Sequence, residues 1–255
     1  MNEPIQVSAR ALGQIAQPDV CARCLWIRSH CGDKAPYSVF PGIFSSIDKY
    51  SKGVTAAHFE KRGAIPTWFN ELGDLGAPMS VPHWSRFRVF DDKTGITLSG
   101  MPDEMIRKKD GSVFIVDYKT ARYTDRADAL LPLYEVQLNV YGHIATKLAM
   151  GSVSGLALLY YEPVTEILVT EVDELVHDNS FLLRFVPKLL PIELKPEMIP
   201  PLLKKFRTIY DAPTAPTGTE SCKDCQLLDK MIAVATSRAS QRPGRRDCRR
   251  TTARN

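Results

Sequence analysis

Apolar positions along the chain follow two rhythms, and the places where one replaces the other mark its elements. Between Phe40 and Lys61, the residues Phe44, Ile47, Tyr50, Val54 and Phe59 recur at roughly helical spacing, and Gly63 and Pro66 punctuate the end. A loop rich in Gly and Pro follows from Gly73 to Pro82. The rhythm then shortens to that of strands: 84–90 (WSRFRVF), 96–108 (ITLSGMPDEMIRK) and the strongly apolar 112–120 (SVFIVDYKT), the last two joined by a hairpin turn at Lys109–Gly111. Residues 134–150 return to helical spacing through Val136, Leu138, Val140, Ile144 and Leu148. Two more strands are predicted at 154–163 and 165–175, and two helices at 179–193 and 197–210. Near the N-terminus, VCARCLWIRSH reads as a short helix or turn. Helix, three strands, helix, two strands and further helices indicate a mixed α/β sheet flanked by helices.

Composition narrows this picture. The 255 residues are 24% charged and 44% hydrophobic, ordinary values for a chain that buries a core. No apolar run reaches the length of a membrane span, and the first residues lack the basic and apolar stretches of a signal peptide, so the expected location is cytoplasmic. No G-x-x-x-x-G-K-[S/T] loop is present, which excludes a Walker-type nucleotide motor.

The formal net charge of +4 is unevenly distributed. Residues 233–255 hold seven arginines and one acid, leaving 26 bases against 28 acids elsewhere. A slightly acidic body thus carries a basic tail, expected to be disordered and suited to contacting phosphates. The sequence divides accordingly into a cysteine-bearing segment (1–36), a body (37–232) that ends in a second cysteine pair, and the tail (233–255).

Six cysteines in a chain expected to stay reduced argue against a disulfide framework. Two C-x-x-C pairs, Cys21/Cys24 and Cys222/Cys225, stand too far apart for a zinc finger. They suit a clamp that joins the two ends of the body through zinc or an iron–sulfur cluster.

Chemistry concentrates around the 109–111 hairpin. Asp117 and Lys119 share strand parity and project on one side. Asp103 precedes them on the strand before, where pairing brings two carboxylates towards one metal ion. Hard oxygen ligands suit Mg²⁺ or Mn²⁺, and a lysine beside them can orient water and stabilise charge on a phosphate. Burying these charges in an apolar strand is expensive unless they serve a purpose. Gln137 and Tyr141, four residues apart, add polar tips to an otherwise apolar helix.

The string SGMPDEMIRKKDGSVFIVDYKTAR followed by YEVQLNVYGHIA resembles the PD-(D/E)xK nuclease superfamily, particularly its RecB-like branch with the CRISPR-associated exonucleases. The matching blocks are Gly100 with Asp103, then Asp117, Lys119 and Thr120, then Gln137 with Tyr141. The resemblance implies a restriction-endonuclease-like mixed β-sheet core. It assigns Asp103, Asp117 and the backbone carbonyl of Tyr118 to the divalent metal, and Lys119 to the hydrolytic water. Gln137 and Tyr141 would contact DNA or order the site. His58 is the candidate for a further histidine ligand that many members carry. Several members also hold a [4Fe-4S] cluster on one cysteine before the core and three after it. Cys21, Cys222 and Cys225 fit that pattern, but Met231 stands where the third downstream cysteine would be, so Cys24 or Cys31 would complete the set, with zinc as the alternative.

The expected function is Mg²⁺- or Mn²⁺-dependent hydrolysis of DNA, with exonuclease character on single-stranded or end-containing substrates. A groove containing Arg107, Lys108 and Arg122 would receive the phosphates. A separate helicase or a CRISPR or recombination partner would supply any processive motion, and no membrane is involved. The alternatives are a non-catalytic nucleic-acid-binding module with the same fold and a scaffold held by its cysteine-bound metal.

Overall fold

The structure, a computed structural model, describes residues 4–32, 42–123 and 127–237, without the side chains of 127 and 128. The tail's seven arginines and Cys248 lie outside the described residues. The described chain runs β1 (Ile5–Ser8), α1 (Ala9–Gly13), α2 (Ala22–His30), α3 (Gly42–Arg62), β2 (Leu75–Pro78), β3 (Arg88–Asp91), β4 (Ile96–Ser99), β5 (Glu104–Lys108) and β6 (Val113–Lys119). There follow α4 (Leu131–Lys147), β7 (Val153–Pro163), α5 (Val172–Leu175), β8 (Val176–His177), β9 (Ser180–Phe181), β10 (Phe185–Ile192), α6 (Ile199–Tyr210) and α7 (Lys223–Thr236).

A five-stranded mixed sheet in the order β10-β7-β6-β5-β2 forms the centre, and β1-β4-β3 makes a smaller sheet beside it. The neighbours β6 and β7 run parallel, connected through α4, while the remaining pairs of the large sheet are antiparallel. This is the restriction-endonuclease-like arrangement the sequence led us to expect. The central strand β6 is buried along nearly its whole length, and its alternation divides the core. Val113 and Ile115 face α4 with Val136, Leu138 and Ile144, whereas Phe114, Val116 and Tyr118 face a second cluster with Phe69, Leu159 and Tyr161. Thr55 of α3 hydrogen-bonds Tyr161 OH at 3.1 Å, fixing α3 over that second face. No helix among the described residues is long and apolar enough to cross a membrane.

Several segments differ from their sequence pattern. The expected strand 96–108 is two strands in different sheets, because Gly100–Pro102 breaks the ladder and carries the chain from one sheet to the other. Within 84–90 only the end is strand, since the N–H groups of Arg86 and Phe87 turn back to the His83 carbonyl. Residues 165–175 form helical turns instead of a strand: the Glu171 carboxylate accepts the Leu168 N–H at 3.2 Å, a local bond that favours a helix start.

The segment 179–193, expected to be helical, ends in β10. Pro187 and Pro191 have no N–H to donate to a helix, but both have the same parity and are tolerated on an edge strand. The first residues also belong to the body. Val7, Leu12, Ile15 and Leu25 are buried in the main core, on elements too short to show periodicity.

Candidate active site

The hairpin register sets the site. Glu104 pairs with Val116 and Arg107 with Val113, so one more residue of the same register places Asp103 opposite Asp117. Asp103 sits where the chain leaves β4 and enters β5. Its Oδ2 accepts the Tyr118 N–H at 2.6 Å, and its Oδ1 lies 2.7 Å from Lys52 Nζ of α3. Lys52 also contacts Asp48 Oδ2 at 2.8 Å, one helical turn earlier.

Asp117 is only 3% exposed. Its Oδ2 is ion-paired with Lys119, and its Oδ1 accepts Gln137 Nε2 at 3.3 Å. The same amide group donates to Tyr141 OH at 2.7 Å. Lys119 in turn lies over the ring of Tyr134, 4.1 Å from its centroid, which limits where the ammonium group can go. Gln137 and Tyr141 are themselves buried, so β6 and the inner face of α4 hold the group rigidly.

Gly100 explains the tight fit around Tyr141. A Cβ at this position would overlap the Tyr141 ring, so the approach of β4's end to α4 depends on a missing side chain.

Burial disfavours the charged form of Asp117 and pushes its carboxyl up to about 6; Lys119 opposes that shift and Asp103 reinforces it. For Lys52, burial opposes the charge, but Asp103 and Asp48 outweigh it and raise the ammonium above its usual value. Glu104, on the other face of β5, is pushed up to about 7 by burial, while Tyr118 OH donates to it at 3.2 Å. Two acids are thus held together against two lysines in a largely water-excluded place.

The residues are suited to a hard divalent cation. Two carboxylates on adjacent strands supply oxygen donors, and Gln137 Oε1 is buried beside them with no hydrogen-bond partner. Asp103 and Asp117 would hold such an ion, and Lys119 stands where it can meet a water or a phosphate oxygen.

The family profile of the PD-(D/E)XK nuclease superfamily matches residues 44–229, well over half of the chain. The chain belongs to the PD-(D/E)XK nuclease superfamily. No curated protein sequence matches it. The crystal structure of SSO0001 is similar to this nuclease-family chain with a TM-score of 0.42 and 13% identity, the match covering 84% of this chain and 80% of that one.

The remaining expected residues are distributed as follows. His58 lies six residues beyond Lys52 on α3. Its Nδ1 is 3.0 Å from the Ala64 carbonyl, and its ring leans on Trp68. It does not join Asp103 and Asp117: among the described residues, the four-cysteine cluster is the group of three or more metal-ligating side chains that converges. Arg107 lies at the far end of β5, where its guanidinium donates to the Gly111 and Met150 carbonyls and braces the hairpin. Lys108 is beside it on the same end of the strand. Arg122, just past β6, donates to Thr165 Oγ1 at 2.6 Å and is the one of the three on the same end as Lys119.

Lys52, Asp48 and Tyr134 were not singled out by the sequence. An acid and a lysine four residues apart on a helix are commonplace, and only the packing of α3 over β6 makes this pair part of a site.

The cysteines converge as well. Cys21 precedes α2 and Cys222 precedes α7, each occupying an N-cap, with Cys24 and Cys225 three residues further on. All four sulfurs lie within 4.8 Å of one another, and Cys31, exposed beyond the end of α2, stays apart. Beside them, Arg23 and Asp229 form a two-pronged ion pair at 3.0 and 2.6 Å that also joins α2 to α7.

Proposed function

We propose that this chain is a divalent-metal-dependent DNA nuclease acting on single-stranded or end-containing DNA. The observation that carries the reading is the arrangement of Asp103, Asp117 and Lys119, locked by Gln137 and Tyr141, in a member of a nuclease superfamily. When bound, Mg²⁺ or Mn²⁺ would polarise the scissile phosphate and lower the pKa of a coordinated water.

The chain's own residues define the rest of the chemistry. Asp103 is held by the Tyr118 N–H, so its carboxylate keeps one orientation. Gln137 fixes the Asp117 carboxylate through Oδ1, and the Tyr134 ring restrains Lys119, which is placed to orient the attacking water or to stabilise charge on the phosphate. Arg122, three residues past Lys119, is a cation that would contact a phosphate near this end of the sheet.

The test is cleavage of labelled linear single-stranded, linear duplex and circular DNA with Mg²⁺, with Mn²⁺, and with chelator. The wild type is expected to cut linear single strands with either ion and to stop in chelator. Lys119→Ala and Asp117→Ala should lose at least about 100-fold in rate, the scale of removing a positioned charge from a reacting centre. Equal cleavage by wild type and both variants would refute the site, and binding without cleavage by the wild type would favour a non-catalytic DNA-binding module.

A further inference from the structure

The related nucleases that carry a cysteine-bound cubane use one cysteine before the core and three after it. This chain has two and two, arranged with a local symmetry. Each C-x-x-C pair occupies the N-cap and third residue of a helix, so α2 and α7 both point their N-termini at the shared centre. Helix N-termini favour negative charge, and four thiolates around one dication leave a net negative centre.

The separations distinguish a single ion from a cluster. Cys21 Sγ lies 3.5 Å from Cys225 Sγ, and Cys24 Sγ lies 3.5 Å from Cys222 Sγ and 3.4 Å from Cys225 Sγ. Four sulfurs sharing one ion through bonds of about 2.3 Å form a tetrahedron with edges of about 3.8 Å. In a four-iron cube each thiolate binds a different iron and points away from the others. The sulfurs are then separated by an iron–iron vector as well as by two outward bonds, a span greater than the 4.8 Å found here. Behind Cys225 the packing is close: a Cβ on Gly218 would sit 2.9 Å from its Sγ and 3.3 Å from Arg23 Cδ, so backbone stands directly against that sulfur.

We propose that Cys21, Cys24, Cys222 and Cys225 hold one tetrahedral zinc ion and not a four-iron cluster. Zinc binds as Zn²⁺ with no electron transferred, and the protons lost by the thiols pass to solvent. Among dications that accept four sulfurs, zinc binds more tightly than ferrous iron. The centre is a redox-inert clasp between α2 and α7. It rests on no part of the nuclease reading, since its test does not measure DNA cleavage.

The experiment is elemental analysis of the full chain, purified without oxygen and without a metal-affinity step. One zinc per chain in a colourless protein is expected, and replacement by Co²⁺ should give the visible bands of a tetrahedral tetrathiolate. Metal-stripped protein offered ferrous iron and sulfide under reducing conditions should remain without a cluster, then take up one equivalent of zinc. Cys24→Ser should lower zinc content, and the cobalt spectrum of the wild type tests the geometry even if that variant does not fold. A brown protein with about four irons and inorganic sulfide per chain would overturn the proposal, as would a wild type that neither carries nor takes up zinc.

Discussion

Lys52 reaches from α3 to Asp103 and occupies with its ammonium group the same carboxylate that a metal ion would use. Loading the site therefore sets a divalent cation against a resident monovalent one. A partly buried ion pair of this kind, 34% exposed at Lys52 and 16% at Asp103, is worth about 1 kcal/mol, or roughly a fivefold change in binding. Lys52→Gln is accordingly expected to lower the Mn²⁺ concentration for half-maximal binding about fivefold, read by calorimetric titration in the absence of DNA; unchanged or weaker binding would remove Lys52 from this role. Gly100 makes a different demand, for space. Gly100→Ala forces its methyl group against the Tyr141 ring, and overpacking of this kind costs about 1–3 kcal/mol. Thermal unfolding should shift down by several degrees, with a parallel fall in cleavage as Tyr141 and Gln137 move; a variant with unchanged unfolding would show that the ring yields freely.

The elements respond to pH through α4, the helix that supplies Gln137 and Tyr141. His143 is half-buried on it, and burial, followed by the charge of Lys147 one turn on, lowers its pKa below the ordinary 6.5, while Asp91 of β3 pulls the other way. Between the lowered folded value and the unfolded one, the unfolded chain binds more protons, so stability rises with pH across that interval. The contribution is complete above about pH 6.5 and is lost as pH falls towards the folded value. Melting temperature should thus drop more steeply between pH 7 and 5 in the wild type than in His143→Gln, and parallel curves would dismiss the effect. The elements themselves were unevenly legible. Helices α3, α4 and α6 and strands β6 and β7 announce themselves because long faces of each are repeated in sequence. The segment ending in β10 does not: its leucines fit a helix, and only the parity of Pro187 and Pro191 marks an edge strand. The acidic pair and Lys119 could be read from a hairpin turn and strand parity, both local. Lys52 could not, because its partner is 51 residues away across the second face of the sheet.

At the level of the whole molecule, net charge was a poor guide to the ligand. The excess of arginine lies in residues 233–255, while the site is built from two acids and two lysines. What organises the molecule is the meeting of α2 and α7, where residues near opposite ends of the body stand side by side through four sulfurs and the Arg23–Asp229 pair. That juncture has a mechanical consequence. With zinc bound as proposed, tension between the two cysteine pairs would be carried across the cluster, bypassing residues 25–221. The five-stranded sheet and its acidic hairpin lie wholly between the two cysteine pairs and would be loaded last, whereas β1, which precedes Cys21, would be pulled directly. A partner pulling on both flanking segments would meet a short, stiff link, with the strands that carry Asp103 and Asp117 slack behind it.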